Sequence, residues 1–232
     1  MNTTKQLNHI VIFGASGAMG RAFTKRIRLY YPKAVITTFS REACHDATVN
    51  THVIDYFDES QMKTAADSIQ SVDLILVATG MLHSDTIQPE KSYRQIQPIN
   101  MLEVYRVNTV LPMVIAKYFL PKLPKDQCGY MAILSARVGS ISDNRLGGWH
   151  SYRASKAALN MLVRNLAIEC RRHIIVGIHP GTVDSQLSKP YQGSTEVFTP
   201  DYAATMCLSV LNDLTLDNSG YCYAWDGAAI DP

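Results

Sequence analysis

The strongest constraint on the fold is a regular alternation. Apolar runs of strand length are followed, about six times, by longer stretches of helical period. The strand-like runs are His9 to Phe13, Ala34 to Phe39, His52 to Ile54, Asp73 to Ala78, Gly129 to Leu134, Ile174 to Ile178 and Tyr221 to Trp225. Between them lie helical stretches at Ala18 to Tyr30, Glu59 to Ile69, Met101 to Leu120, Ser151 to Arg172, and from Thr199-Pro200-Asp201 to about Val210. Pro32 stops the first helix, and Thr199 with Pro200 reads as an N-cap followed by proline at the first helical position. The run DLILVA (Asp73 to Ala78) has no polar residue after its first, as suits a strand covered on both faces. Strand alternating with helix implies α/β architecture: a doubly wound parallel sheet of about seven strands, helices on both faces, right-handed crossovers. No repeat, low-complexity tract or linker interrupts residues 1–232, so one domain is expected.

Composition excludes several classes of function. The 22 basic and 20 acidic side chains leave a formal charge of +2, so neither nucleic acid nor an acidic membrane is an expected partner. The apolar runs reach about eight residues, too short to span a bilayer. Met1 to Asn8 lacks the layout of a signal peptide. The five cysteines (Cys44, Cys128, Cys170, Cys207, Cys222) are odd in number and never spaced CxxC, which reads as reduced cytoplasmic thiols, several of them core filler. The seven histidines show no metal spacing, so no metal is expected; His173 and His179 flank a strand and read as structural.

In open parallel sheets ligands bind beyond the carboxyl ends of the strands, so chemistry is sought just after each one. After the first strand comes Phe13-Gly14-Ala15-Ser16-Gly17-Ala18-Met19-Gly20. Gly14 permits a tight turn, Gly17 lets backbone amides approach a pyrophosphate, and Gly20 lets helix and strand pack closely; Ser16 and Met19 belong to the same contact segment. Uncapped amides at the start of the helix attract the anion. The spacing GxxGxxG is a weak signal alone, but its strand–helix context points to a dinucleotide and a Rossmann-type fold. The second strand ends at Phe39-Ser40-Arg41, where an NAD-selective site carries a carboxylate and an arginine suits a 2′-phosphate. Ser40 and Arg41 therefore favour NADP(H) over NAD(H), although Glu42 is adjacent. Asp55 either accepts a bond from the adenine amino group or caps a turn. Ala78-Thr79-Gly80 would bring backbone against the adenosine ribose.

The pair Tyr152 and Lys156 sits four residues apart, on one helix face. A free phenol titrates near about 10, and a neighbouring ammonium favours phenolate. Tyr152 could then give a proton to a carbonyl oxygen while hydride reaches the carbon, and Lys156 could also hold ribose hydroxyls. An aromatic beside a snorkelling lysine is the plain alternative.

With these residues in place the chain resembles the short-chain dehydrogenase/reductase family from Ile10 to Asp226. The stretch Leu134 to Asn160 and the ending Ala224-Trp225-Asp226-Gly227 look like the branch of the sniffer carbonyl reductases and the C-factor signalling protein. The resemblance implies catalytic roles for Tyr152 and Lys156, and for Asn108 as anchor of a water that links Lys156 to solvent. It also implies that Pro180, Gly181, Thr182 and Val183 close over the nicotinamide, with Thr182 and Val183 near its carboxamide. Pairing of the 101–120 and 151–172 helices across a two-fold axis would give a homodimer or homotetramer.

The pattern departs at the catalytic serine. The family's SxxG slot holds Ala136, with Ser135 one residue earlier. A one-residue slip turns a strand side chain to the other face. Either the chain bulges and presents Ser135, or Ser140 serves, or no serine does. Ala18 and Thr79 also replace the family's usual residues, without much added bulk. His150 either lines a pocket or starts a helix, Trp149 either roofs the substrate site or simply packs, and Tyr191 to Phe198 is a candidate lid of modest length. The expected activity is NADP(H)-dependent reduction of a small or medium carbonyl, or oxidation of the alcohol. The rivals are a non-catalytic dinucleotide sensor on the same fold and a sugar-nucleotide epimerase, for whose extra substrate domain 232 residues leave no room.

Overall fold

The structure, a computed structural model, describes residues 6–42, 48–193 and 196–232. Eight strands form one sheet: β1 (His9–Phe13), β2 (Val35–Ser40), β3 (Asn50–Val53), β4 (Leu74–Val77), β5 (Tyr130–Leu134), β6 (Ile174–His179), β7 (Cys222–Ala224) and β8 (Ala229–Ile230). Their order is β3-β2-β1-β4-β5-β6-β7-β8. Seven strands are parallel, and β8 returns antiparallel beside β7, pairing Cys222 with Ile230. The sequence reading ended one strand short, because a two-residue strand after Asp226-Gly227 has no periodicity to detect. Cys44 lies outside the described residues.

Burial on both faces follows from the apolar strands. Ile10 and Ile12 of β1 face one layer, formed by α1 (Ala18–Tyr30) and α6 (Pro200–Asp213). Val11 and Phe13 face the other, formed by α2 (Glu59–Asp67), α4 (Leu111–Phe119) and α5 (His150–Glu169). All four of these side chains are fully buried. Each such side chain contributes about 1.5–3 kcal/mol by leaving water. On the second face Phe13 stacks on Phe39 at 5.0 Å and meets the edge of Phe119 at 4.8 Å. Thr199 caps α6 by accepting a bond from the Tyr202 amide, as its Thr-Pro-Asp opening predicts.

The long stretch around Pro112 resolves into α3 (Pro98–Tyr105), a π-helical turn over Arg106–Val110, and α4. The Leu111 amide bonds the Arg106 carbonyl five residues back. Pro112 has no amide hydrogen for the carbonyl four residues before it, that of Asn108. The widened turn therefore falls on the residue that the family resemblance singles out.

Candidate active site

The reversal of strand order between β1 and β4 opens a crevice at the strand tips, and the chemistry-bearing residues gather there. On the β1 side the chain turns at Gly14, whose φ is +80°. A Cβ on Gly14 would lie 2.9 Å from the Ala78 carbonyl group, and one on Gly20 only 2.2 Å from the Gly14 carbonyl oxygen. Both sites thus exclude any side chain, and this closeness lets α1 start against the strand tip. α1 opens on Gly17 with no side-chain cap and no acid in its first turn. Its first amides are left for an anion.

Other residues expected here are present with modified parts. Met19 points into the apolar layer with Ala15, so only its backbone faces the turn. The Ser16 carbonyl accepts from the Arg21 guanidinium. Ser40 is fully buried and its hydroxyl is spent on the Glu42 carbonyl, while Arg41 stands exposed. Asp55 caps its own turn, Oδ1 accepting from the Phe57 amide at 2.9 Å. Ala78 donates its amide to the Phe13 carbonyl, and the Thr79 hydroxyl oxygen is buried with no hydrogen-bond partner. Uncapped amides at α1 and an orphaned hydroxyl at the tip of β4 are what a phosphate and a ribose would satisfy, so these residues fit a dinucleotide.

Tyr56 escaped the sequence reading. Its hydroxyl accepts from the Gly14 amide at 2.8 Å and donates to the Phe39 carbonyl at 2.7 Å, bracing the glycine turn. Burial pushes this phenol up to about 12. An aromatic directly after Asp55 was the one available signal.

On the other side of the crevice α5 carries Tyr152, Lys156 and Asn160 on successive turns. Tyr152 and Lys156 are both buried, with the Lys156 ammonium 5.9 Å from the Tyr152 ring centre and 2.8 Å from the Leu134 carbonyl, to which it donates. Burial drives the lysine down to about 8 and the phenol up to about 12. The phenol therefore moves opposite to the sequence expectation, because loss of water outweighs the ammonium across that distance. Asn108 is clamped: its amide nitrogen donates to the Met81 carbonyl (2.8 Å) and the Ser155 hydroxyl (3.0 Å), and its oxygen accepts from the Met81 amide (2.8 Å). Gly80 lies where a Cβ would sit 3.9 Å from both Asn108 Oδ1 and Lys156 Nζ. The strand-tip residues and the helix pair thus meet at Gly80.

The serine expectation is corrected. β5 pairs in regular register through Leu134, and the Ser135 amide continues to the Ile178 carbonyl at 2.8 Å, with no bulge. Ser135 Oγ donates to Asn160 Oδ1 at 2.6 Å, and its Cβ lies across Gly177 from Cys222. Ala136 instead packs with Tyr152. Ser140 is also committed, accepting from the Asp143 amide at 3.1 Å and lying 3.4 Å from the Pro232 carbonyl. Strand alternation turns Ser135 away from the side that Ala136 shares with Tyr152, and Ser140, beyond a 3₁₀ turn over Arg137–Gly139, is held by Asp143 and Pro232.

The segment after β6 turns at Gly181 (φ +79°), where a Cβ would lie 2.6 Å from the Phe198 ring. The Phe198 amide bonds the Thr182 carbonyl, and Val183 is buried beneath, in the layer with α6. Phe198 packs on Trp225 at 4.6 Å, so it anchors the suggested lid rather than moving with it. Residues 194–195 of that segment lie outside the described residues. His179, largely buried and near Arg137, is held down to about 4 and stays neutral; His173 accepts from the Gly129 amide.

Facing Tyr152 is a wall that sequence reading only half saw. Trp149 is the sole non-glycine residue with positive φ among the described residues (φ 49°, ψ 41°). It occupies the N-cap of α5, where a short polar side chain is usual, and caps nothing. Glu90, buried and from a distant loop, supplies the cap: its carboxylate accepts from the Ser151 amide (3.1 Å) and hydroxyl, and its carbonyl from the Trp149 amide (2.5 Å). Holding a bulky residue left-handed costs about 1–3 kcal/mol. His150 is simply the first residue of the helix.

A model of the short chain dehydrogenase family matches residues 8–195. The chain belongs to that family. Membership accords with the family resemblance read from the glycine turn and the Tyr152–Lys156 pair. A 1-hydroxy-2-glutathionyl-2-methyl-3-butene dehydrogenase of Rhodococcus sp. (strain AD45) is 33% identical over 123 residues, 52% of this chain and 54% of that protein. The C-signal protein of Myxococcus xanthus is 30% identical over 133 residues, 56% of this chain and 78% of that one. The match to the first relative therefore spans about half its length. Among solved structures, the carbonyl reductase Sniffer of D. melanogaster superposes with a TM-score of 0.86 at 21% identity, over 97% of this chain and 100% of that one. An NADPH-bound carbonyl reductase from chicken fatty liver gives 0.83 at 23%, over 98% and 100%. At such identities the two structures demonstrate a shared fold.

Proposed function

We propose that the chain is an NADP(H)-dependent carbonyl reductase or alcohol dehydrogenase acting on a small or medium substrate, with Tyr152 as acid/base. One observation carries this reading: Tyr152 and Lys156 are buried together on one face of α5, beside Gly80 and Asn108 at the strand tips. Gly14, Ser16, Gly17, Met19 and Gly20 would hold the pyrophosphate by backbone, and Ala78, Thr79 and Gly80 the ribose. Ser40 and Asp55, committed to local turns, would contribute little beyond shape, and the 180–183 segment would cover the nicotinamide. The NADPH-bound chicken carbonyl reductase supports this choice of cofactor, as does Arg41. When bound, NADPH supplies the hydride.

The chain's own residues control the proton. Tyr152 donates its phenolic hydrogen to the carbonyl oxygen and takes it back in the oxidation. A phenol near about 12 is a weak acid and almost wholly protonated near neutral pH, so the charge that lowers it must come from the assembled site: Lys156 and an oxidised nicotinamide, both positive. The Asn108 side chain is spent on Met81 and Ser155. Its carbonyl, for which Pro112 offers no amide four residues on, is the group that could hold the relay water toward Lys156.

Tyr152→Phe should lower kcat/KM by roughly 10²–10⁴-fold while leaving NADPH affinity within about twofold. Retained turnover would remove Tyr152 from the mechanism. Arg41→Ala should weaken NADPH by roughly ten- to a hundredfold and NADH hardly at all, the loss of one charge-assisted contact. Equal effects on the two cofactors would reassign the arginine. The second reading is a dinucleotide-binding sensor, favoured by Ala136 in the serine slot and by the similarity to C-signal. Tight NADPH binding with no turnover across a panel of aldehydes and ketones would select it.

The remaining expectations stand as parts of the same proposal. Residues 1–232 form one domain, supported by two apolar layers flanking one sheet. A homodimer or homotetramer is supported by exposed Ile99 and Leu102 on α3 and Met161 and Ile168 on α5. No helix among the described residues is long and apolar enough to cross a membrane. A cytoplasmic location rests on cysteine usage alone.

A further inference from the structure

From the geometry of the wall facing Tyr152 we infer that Trp149 is the specificity-determining residue and that it selects flat, conjugated or aromatic carbonyl compounds. The inference rests on the carbonyl-reductase reading above.

The chain carries three unfavourable features at one place to present this indole. A bulky side chain sits at left-handed φ, the N-cap of α5 has no local cap, and a buried carboxylate from residue 90 substitutes for it. Any of Ser, Asp or Asn at 149 would cap the helix at less strain. Strain retained against such an easy alternative points to a use for the side chain. The ring lies edge-on to Tyr152 at 6.2 Å (75°) and to Tyr191 at 5.4 Å (73°). Tyr191 is itself held by Gln88, to which its hydroxyl donates at 2.7 Å. The indole is half-buried, and its ring nitrogen makes no hydrogen bond among the described residues.

Leu82, Ala136, Val138 and Leu187 pack in the same cluster, and the His83 ring meets Tyr191 edge-on at 5.5 Å. Two nearby cations are engaged elsewhere. Arg153 donates to the Gly147 and Val138 carbonyls, and Arg137 pairs with Asp143 at 3.5 Å. These two arginines are thus directed at groups of the chain itself. The serine slot is Ala136, so one hydroxyl, that of Tyr152, meets the carbonyl oxygen. The second constraint on substrate orientation must then come from surface contact. Perpendicular aromatic rings at 5–6 Å favour a flat π-system, by offset or edge-to-face contact, over a puckered ring of equal carbon count.

The test compares acetophenone with cyclohexyl methyl ketone, matched in carbon number. Binding to the NADP⁺-loaded protein, where no reduction can occur, is measured by calorimetry, and kcat/KM is measured separately with NADPH. Wild type should bind acetophenone at least about tenfold tighter, equivalent to about 1.4 kcal/mol. Trp149→Phe should keep most of this ratio, and Trp149→Leu should bring it within about twofold. Should Trp149→Leu fail to fold, Trp149→Gly removes the indole while accepting the positive φ. A merely packing tryptophan would change stability and leave the ratio alone. Equal binding of the two ketones by wild type, or an unchanged ratio in Trp149→Leu and Trp149→Gly, overturns the inference. Selective binding with no NADPH-dependent reduction leaves Trp149 as the selector and overturns the reductase reading instead.

Discussion

The two halves of the crevice are built by different means. The β1 side is shaped by what is missing: Gly14 and Gly20 leave no room for a Cβ, and the turn follows from their contacts with neighbouring backbone. The α5 side is shaped by side chains that arrive from far along the chain. Glu90 caps a helix that begins about sixty residues later, Asn108 ties Met81 to Ser155, and Tyr191 reaches Gln88. A phosphate site asks only for backbone amides in a fixed curve, which local sequence can encode. A pocket for one substrate needs side chains at set distances in three dimensions, which only assembled loops supply. Hence the first half follows from a few glycines, and the second depends on distant contacts and departs from the family's pattern at Ala136.

That contrast can be broken in order of expected effect. Gly20→Ala puts a methyl group 2.2 Å from the Gly14 carbonyl oxygen, about 1 Å inside ordinary contact. The helix must retreat, which should lower NADPH affinity on the order of 10²-fold and stability by about 1–3 kcal/mol. Cofactor titration and thermal melts of the same variant measure both, and an unimpaired variant would show that the turn yields where the contacts forbid it.

Glu90→Ala attacks the other half. It strips the cap from Ser151 and should cost about 1–3 kcal/mol in unfolding free energy while leaving NADPH affinity near wild type. Glu90→Gln, which can still accept from the Ser151 amide, should recover about half of the loss. If Glu90→Ala weakened NADPH as much as Gly20→Ala does, the two halves would not be separable.

The smallest effect concerns charge. Lys156 titrates near 8 when folded, against 10.5 when exposed. Between those values the unfolded chain holds more protons than the folded one, so stability rises with pH through that window. Below it the buried charge is a standing penalty. Lys156→Met should therefore raise the melting temperature at pH 7 by about 3–6 °C, after allowing for the lost bond to the Leu134 carbonyl, and that advantage should shrink toward pH 10. An advantage that grows with pH would mean the ammonium is not desolvated. The same variant should lack turnover, which places the lysine among residues kept for function at a cost in stability.

How far the sequence carried depended on the range of the interaction concerned. All seven parallel strands and most of the helices between them follow from runs of strand length alternating with helical stretches, and Thr199 and the glycine turn follow from neighbours a few residues away. Pro112 lies inside the stretch expected as one helix, and it marks where that helix widens. Ser135 stayed undecided because a bulge cannot be read from one strand; regular pairing with β6 settled which face it takes. Tyr56 and Glu90 were missed: an aromatic after Asp55 was the one sign of the first, and an acid capping a remote helix has no local pattern.

The amino-acid order alone thus determined the layered sheet, the phosphate-shaped turn and the Tyr152–Lys156 spacing, because each depends on period or on contacts a few residues away. The tertiary structure decided that Ala136 and not a serine stands beside Tyr152, that burial raises the phenol and lowers the amine, and that Trp149 is held left-handed against Tyr152 and Tyr191. Those outcomes turn on which distant segments exclude water from one another, and that is settled only when the loops at the strand tips close together.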